Sequence, residues 1–335
     1  MYRIRLIYDV PGWAYWRRCQ GIAKYAPDDF TVDVGRGFPG IDEDAWPAGG
    51  YDLILNLMPD QSSLRETLRR RLDNPIIVGG LNVGYGHHEE RLRMCQSGAD
   101  HIVVNNRDCY ERLGKDPPTW SPRGFDCKSY ATRPVDNRRL DGMTWISNGV
   151  DLDTFRVKVP IEDRKPRVLW CGSNYHCEHT NIKGWKEILL PLAERLEAAG
   201  IDYDYRRVES DKPKSCFSTE EMVDWYNTGT VYVCASSSEG TPNPALEAAA
   251  CGCTLVSTRV GNMPELIRHG YNGLLVRRDA GAMADAIQTA MNWLPGCLAG
   301  TMQRNIQAWD WKFRAPQYYD LFRRLIRERR VGSVN

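Results

Sequence analysis

SSSEGTPNPALEAAACGCTLVSTRVGNMPELIRHGYNGLLV, residues 236–276, holds the reading on which the fold turns. Two carboxylates, Glu239 and Glu247, stand with seven residues between them, and a Gly-Thr-Pro turn follows the first. Asn243 has the side chain of a helix cap, Pro244 suits a first turn and Gly252 suits a stop. The spacing therefore predicts a helix carrying Glu247 about one turn inside it, with Glu239 on the preceding loop. The free N–H groups of such a helix start attract an anion, and a carboxylate can accept from two sugar hydroxyls at once. One pocket could hold a phosphate and a sugar together.

The flanks support an α/β chain. Apolar runs beginning at Val231 and Thr254 read as strands on either side of that helix, and Ala248, Ala249 and Ala250 allow close packing on a sheet. Upstream, Arg167 opens another strand-like run ending at Gly172, and Trp185, Ile188, Leu189, Leu192 and Leu196 mark an amphipathic helix, kinked at Pro191. In the first half, residues 4–10, 51–58, 74–82 and 99–107 read as strands, with helical runs from Ala14 and over residues 62–72. Short apolar strands alternating with helices predict a parallel sheet covered on both faces, with ligands beyond the strand carboxyl ends. That rule puts Gly12, Met58 and residues 79–88 on one rim. Trp13, Tyr15 and Trp16 offer rings for stacking or for the core.

The ordered motifs are Glu239-Gly-Thr-Pro, Glu247-Ala-Ala-Ala-Cys-Gly, Gly261-Asn-Met-Pro-Glu-Leu-Ile and Gly270-Tyr-Asn-Gly-Leu-Leu-Val. Together they resemble the donor-site signature of retaining GT-B glycosyltransferases, in particular glycosyltransferase family 4. The resemblance implies a GT-B architecture: two Rossmann-like domains facing across a cleft, with a C-terminal helix crossing back to the first. Residues 1–150 would form the acceptor domain, 151–308 the nucleotide-sugar donor domain, and 309–335 the returning helix. The segment from Asn148 to Asp151 matches the family's passage between domains.

The same resemblance assigns roles. Glu239 would orient the hydroxyls of the transferred sugar, Glu247 would hold the ribose, and Lys183 would clasp the diphosphate. Ser173 stands after Gly172 where an arginine is usual, and Arg17 or Arg18 are the bases that could replace it. Gly240, Thr241, Pro242 and Asn243 complete the donor site. Gly12, Trp13 and Asn82 would line the diphosphate and acceptor side, and His87 and His88 are the histidines nearest the family's strand-end histidine. The implied front-face mechanism needs no protein nucleophile, because the leaving phosphate helps deprotonate the acceptor. It calls for no metal and no cofactor beyond the nucleotide-sugar substrate. Asp151 and Asp153 spell Asp-x-Asp, but in a linker they suit capping. Cys171, His176, Cys177 and His179 match no common zinc spacing and read as residues beside the donor.

Totals narrow the remainder. The 335 residues suffice for two cores, and the net charge is +1, with 20 basic against 20 acidic residues in 1–150 and 24 against 23 after it. Bulk charge gives nucleic acid no support. Eleven cysteines scattered through strands and helices, without an N-terminal apolar block, suit reduced thiols and the cytoplasm. Arg65, Arg69, Arg70, Arg71, Arg323, Arg324, Arg327, Arg329 and Arg330 make local basic faces, either solvated or directed at an anionic membrane or DNA. Residues 114–144, rich in Pro, Arg, Asp and Gly, read as an irregular insertion, for acceptor recognition or plain surface. Acceptors open to the transferase reading are a glycan, a lipid-linked sugar, a protein, a small molecule or modified DNA bases. GT-B folds also house epimerases and hydrolases, and a non-catalytic nucleotide-sugar binding protein would keep the ribose grip alone.

Overall fold

The central strands in the first half of the chain, residues 53–56, 76–81 and 101–104, are short and buried at every position, as strands covered on both faces are. The computed structural model describes residues 1–9, 14–37, 50–57, 75–81, 99–113, 142–173, 176–208, 217–292 and 295–332. The chain divides into two units, one of residues 1–148 with 312–335 and one of residues 149–311. In the first unit β1 (Tyr2–Tyr8), β2 (Phe30–Arg36), β3 (Leu53–Asn56), β4 (Ile76–Leu81), β5 (His101–Val104) and β6 (Met143–Trp145) lie in the order β2-β1-β3-β4-β5-β6. All five pairings are parallel, and every residue of β3, β4 and β5 is buried. Helix α1 (Ala14–Lys24) follows β1, and α2 (Arg107–Leu113) follows β5. Neither β2 nor the short β6 stands out in the sequence, since both are edge strands with partly exposed residues.

In the second unit β7 (Arg167–Ser173), β8 (Asp202–Val208), β9 (Val231–Cys234), β10 (Thr254–Thr258) and β11 (Gly273–Val276) form a parallel sheet in the order β11-β10-β9-β7-β8. The chain steps outward from β7 to β8, then returns to the other side of β7 to lay down β9. This reversal makes a crevice at the carboxyl ends of β7 and β9, the usual place for a ligand in an open parallel sheet. Its helices are α3 (Leu190–Ala198), α4 (Thr219–Tyr226), α5 (Asn243–Ala250), α6 (Met263–Leu266), α7 (Ala280–Asn292) and α8 (Pro295–Ile306). One apolar core gathers Cys171, Tyr226, Leu246, Ala248 and Ala249; another gathers Trp170, Leu189, Leu192, Val233, Met283 and Ile287. The amphipathic run from Trp185 is not one kinked helix. A π-helical turn over Trp185–Leu189 precedes α3, and Pro191, which has no N–H, falls in the first turn of α3.

Helix α9 (Trp311–Gly332) carries the chain back into the first unit. Tyr318, Tyr319, Phe322 and Ile326 are buried at helical spacing. Tyr319 donates to the Ile22 carbonyl at 2.8 Å, and Arg323 grips Asp29 through two bonds of 2.7 Å. Arg18, offered above as a substitute base, is buried in this unit, where its Nε and Nη2 both donate to the Tyr318 hydroxyl. At the start of the second unit, Asp151 caps its own turn, accepting from the Asp153 amide at 3.2 Å and the Thr154 hydroxyl at 2.9 Å. Among the described residues no helix is long and apolar enough to cross a membrane.

Candidate functional site

The crevice of the second sheet is built from three strand ends. β7 finishes at Gly172 and Ser173. A Cβ at Gly172 would come within 2.6 Å of the Trp170 ring, so the bare glycine makes room for that ring, with the Lys183 stem in ordinary contact at 3.5 Å. The Ser173 hydroxyl is buried and has no hydrogen-bond partner among the described residues. After β7, the loop carrying Lys183 is folded by two left-handed residues, Asn181 (φ 49°) and Gly184 (φ 76°). It is pinned by the Ser237 amide donating to the Ile182 carbonyl at 2.8 Å, and by Arg278. That guanidinium donates to the Asn181 carbonyl at 3.2 Å and the Ala235 carbonyl at 3.1 Å, and pairs with Glu187 at 2.6 Å.

From β9 the chain runs into the loop bearing Glu239. Oε1 of Glu239 accepts from the Lys183 ammonium and from the Ser236 hydroxyl at 2.6 Å. The two charged side chains keep 20% and 11% of their exposure, so the pair is largely desolvated yet open on one side. Thr258, at the end of β10, holds the Ser236 carbonyl at 2.6 Å. The Gly261 corner then closes on the loop. Its φ is +52°, and a Cβ there would collide with the Gly240 carbonyl oxygen and lie 3.0 Å from that of Glu239. Asn262, fully buried, donates to the Thr241 hydroxyl at 3.1 Å.

Helix α5 begins differently from the sequence expectation. Pro242 occupies the cap and Asn243 is already the first helical residue, so Asn243 makes no capping bond. The Pro242 carbonyl accepts from the Ala245 amide at 2.9 Å. Pro244 does stand in the first turn, and Gly252 (φ 94°) ends the helix in a Schellman turn, with Cys253 N–H on the Ala248 carbonyl and Gly252 N–H on that of Ala249. Glu247 is 6% exposed, and its Oε2 accepts from the Tyr226 hydroxyl at 2.9 Å.

Gly172, Ser173, Lys183, Glu239, Gly240, Thr241, Pro242, Asn243 and Glu247 thus lie within one unit, on β7, its following loop, the loop after β9 and α5. Gly12, Trp13, Asn82, His87 and His88 lie outside the described residues, as does the helix read over 62–72. His176 feels the site: burial, followed by the nearby Lys183 cation, pushes its pKa down, while Glu239 pulls the other way. Cys171 is buried in one apolar core and Cys177 in another, and burial raises the Cys171 thiol to about 11. Tyr226, Arg278 and Ser236 were not singled out from the sequence. Asn262 lay inside the quoted Gly261 motif, which was the available signal for it.

A cation and a carboxylate at a switch point, before a helix with a second carboxylate, can divide between a phosphate and the hydroxyls of a sugar. Residues 203–292 match the family model described as Glycosyl transferases group 1. The D-inositol 3-phosphate glycosyltransferase of Pseudarthrobacter chlorophenolicus is 44% identical over 247 residues, which cover 70% of this chain and 53% of that protein. That of Thermobifida fusca is 36% identical over 93 residues, covering 28% and 20%. The chain spans between 12% and 53% of the length of such curated relatives. Among solved structures, sucrose-phosphate synthase from Thermosynechococcus elongatus superposes with a TM-score of 0.68 at 18% identity, over 98% of this chain and 100% of that one. Anabaena HepE in complex with UDP and glucose gives 0.62 at 14% identity, over 96% and 99%.

Proposed function

We propose, from the premise that this is a GT-B chain with a glycosyl transferases group 1 domain, that it transfers a sugar from a nucleotide diphosphate sugar to an acceptor hydroxyl with retention of configuration. The observation that carries the reading is the meeting of Lys183 and Glu239 at the β7/β9 switch point, on the loop that runs into α5 with Glu247 buried on it.

As the glycosidic bond lengthens, negative charge grows on the departing diphosphate and positive charge on the sugar ring. Lys183 opposes the first charge, and the positive end of the α5 dipole adds to it. The helix start gives no free amide: Pro242 and Pro244 have no N–H, and those of Asn243 and Ala245 donate to the Thr241 and Pro242 carbonyls at 2.9 Å. Glu239 accepts from hydroxyls of the transferred sugar and Glu247 from those of the ribose. Ser173 offers a neutral hydroxyl to the diphosphate, leaving Lys183 as the cation of this loop. The departing phosphate takes the acceptor proton, so no side chain need act as a nucleophile, and neither a metal nor a cofactor is called for. Since the curated relatives are named for inositol 3-phosphate, a phosphorylated cyclitol is the first acceptor to offer.

The test is a thermal-shift panel of nucleotide sugars, followed by acceptor-dependent release of nucleoside diphosphate from the donor that shifts most. Glu239→Ala is expected to fold normally and lose about 100-fold or more in turnover. A protein that binds the donor but releases nothing with any acceptor class, in either form, is a binder, and the transferase reading fails.

A further inference from the structure

We infer that Tyr226 is a positioning residue for Glu247, fixing its carboxylate so that the site prefers a ribonucleotide to a 2′-deoxyribonucleotide. The inference rests on the reading of Glu247 as the ribose-holding group. Tyr226 is the last residue of α4, fully buried, with its hydroxyl 2.9 Å from Oε2 of Glu247. Its ring is held on three sides: Phe155 and Tyr232 meet it edge-on at 6.2 and 6.0 Å, and Trp225 packs at 5.1 Å.

The backbone beneath it is held as firmly. Asn227 accepts from the Lys158 amide at 2.7 Å and from Arg164 at 2.9 Å, and donates to the Val223 carbonyl at 2.8 Å. The Tyr226 carbonyl itself accepts from Arg164 at 3.3 Å. Glu247 stands on α5, whose far end is locked by the Schellman turn. A donor on one rigid element therefore meets a carboxylate on another, and the bond between them opposes turning of that carboxylate about its terminal bond. Burial raises the phenol well above its ordinary pKa, so it stays a donor at any working pH.

Vicinal ribose hydroxyls are matched by a carboxylate whose plane is set; a carboxylate free to turn reads one hydroxyl nearly as well as two. Losing one hydrogen bond to a charged acceptor costs roughly 10- to 100-fold in affinity. The experiment is calorimetric binding of UDP, ADP, GDP and CDP, each against its 2′-deoxy form. It uses the full chain as wild type, Tyr226→Phe, Glu247→Ala and the double variant.

The wild type is expected to favour the ribonucleotide by roughly 10- to 100-fold. Tyr226→Phe should cut that ratio several-fold, with no further effect once Glu247 is alanine. A ratio unchanged in Tyr226→Phe, affinity falling equally for both sugars, or a further fall of the ratio in the Glu247→Ala background each overturns the role of Tyr226. A wild type indifferent to the 2′-hydroxyl, or a Glu247→Ala form that discriminates in full, overturns the ribose reading itself, and the inference with it. Should Tyr226→Phe fail to fold, 3-fluorotyrosine at position 226 keeps the ring and supplies a stronger donor. The ratio must then rise, and an unmoved ratio refutes the proposal.

Discussion

Lys183→Met isolates the charge on which the site depends. The substitution keeps the stem beside Gly172 and removes the ammonium, leaving Glu239 to accept from the Ser236 hydroxyl. Breaking a fully buried pair costs about 3–5 kcal/mol, but a lysine with 20% and a glutamate with 11% of their side-chain exposure are partly screened, so about 1–2 kcal/mol of stability is expected to go. The loss in turnover should be larger. One charged donor facing a leaving group is worth about 100- to 1000-fold, or about 2.7–4 kcal/mol. His176 reports the same change independently. Its pKa lies below 6.5 because of burial and then Lys183, with Glu239 opposing, so removing the lysine leaves the carboxylate unanswered and the pKa must rise. Imidazole titration by NMR, read beside acceptor-dependent release of nucleoside diphosphate, checks both. A His176 pKa that stays put or falls, or turnover within a few-fold of wild type, would refute the reasoning.

Two further outcomes follow from the packing. Gly261→Ala places a methyl group against the Gly240 carbonyl at a φ of +52°, so a loss of about 1–3 kcal/mol and weaker donor binding are expected; a melting temperature equal to wild type would contradict the clamp. His101, buried beside Thr144, has its pKa lowered from 6.5 to about 4, by burial and then by Arg324. The unfolded chain thus binds its proton first: the contribution to stability is intact above pH 6.5 and is lost as pH falls toward 4, by about 2–3 kcal/mol. His101→Gln keeps a partner for Thr144 and should flatten that part of a denaturation-versus-pH curve; an unchanged curve would show that the histidine does not carry the acid sensitivity.

Where chemistry is written in contiguous residues, the sequence was readable. The loop from Glu239 to Pro242, the stop at Gly252 and the Gly261 corner follow from glycine and proline constraints that act within a few residues. The start of α5 was misread because two prolines bracket Asn243: Pro242 takes the cap, so the amide side chain lies one position too late to cap anything. The supports were invisible for a different reason. Tyr226 meets Glu247 across 21 positions and Arg278 meets Asn181 across 97, and no local spacing encodes such contacts. β8 escaped notice because its Asp-Tyr-Asp-Tyr alternation belongs to a half-exposed edge strand, which lacks the continuous apolar run that marked its neighbours.

The return of α9 divides the two units by their order of synthesis. Residues 149–311 are one uninterrupted stretch whose five strands all precede Lys312, and an isolated bridge between Val150 and Asp310 ties its beginning to its end. The other unit is made from residues on both sides of that stretch. Tyr318, Tyr319 and Phe322 complete its apolar interior only after residues 149–311 have been made. Until then Phe30 lacks the Tyr319 ring that it meets at 4.8 Å, and Asp29 lacks Arg323. A premature stop anywhere between residue 149 and α9 therefore strikes the unit that was begun before it.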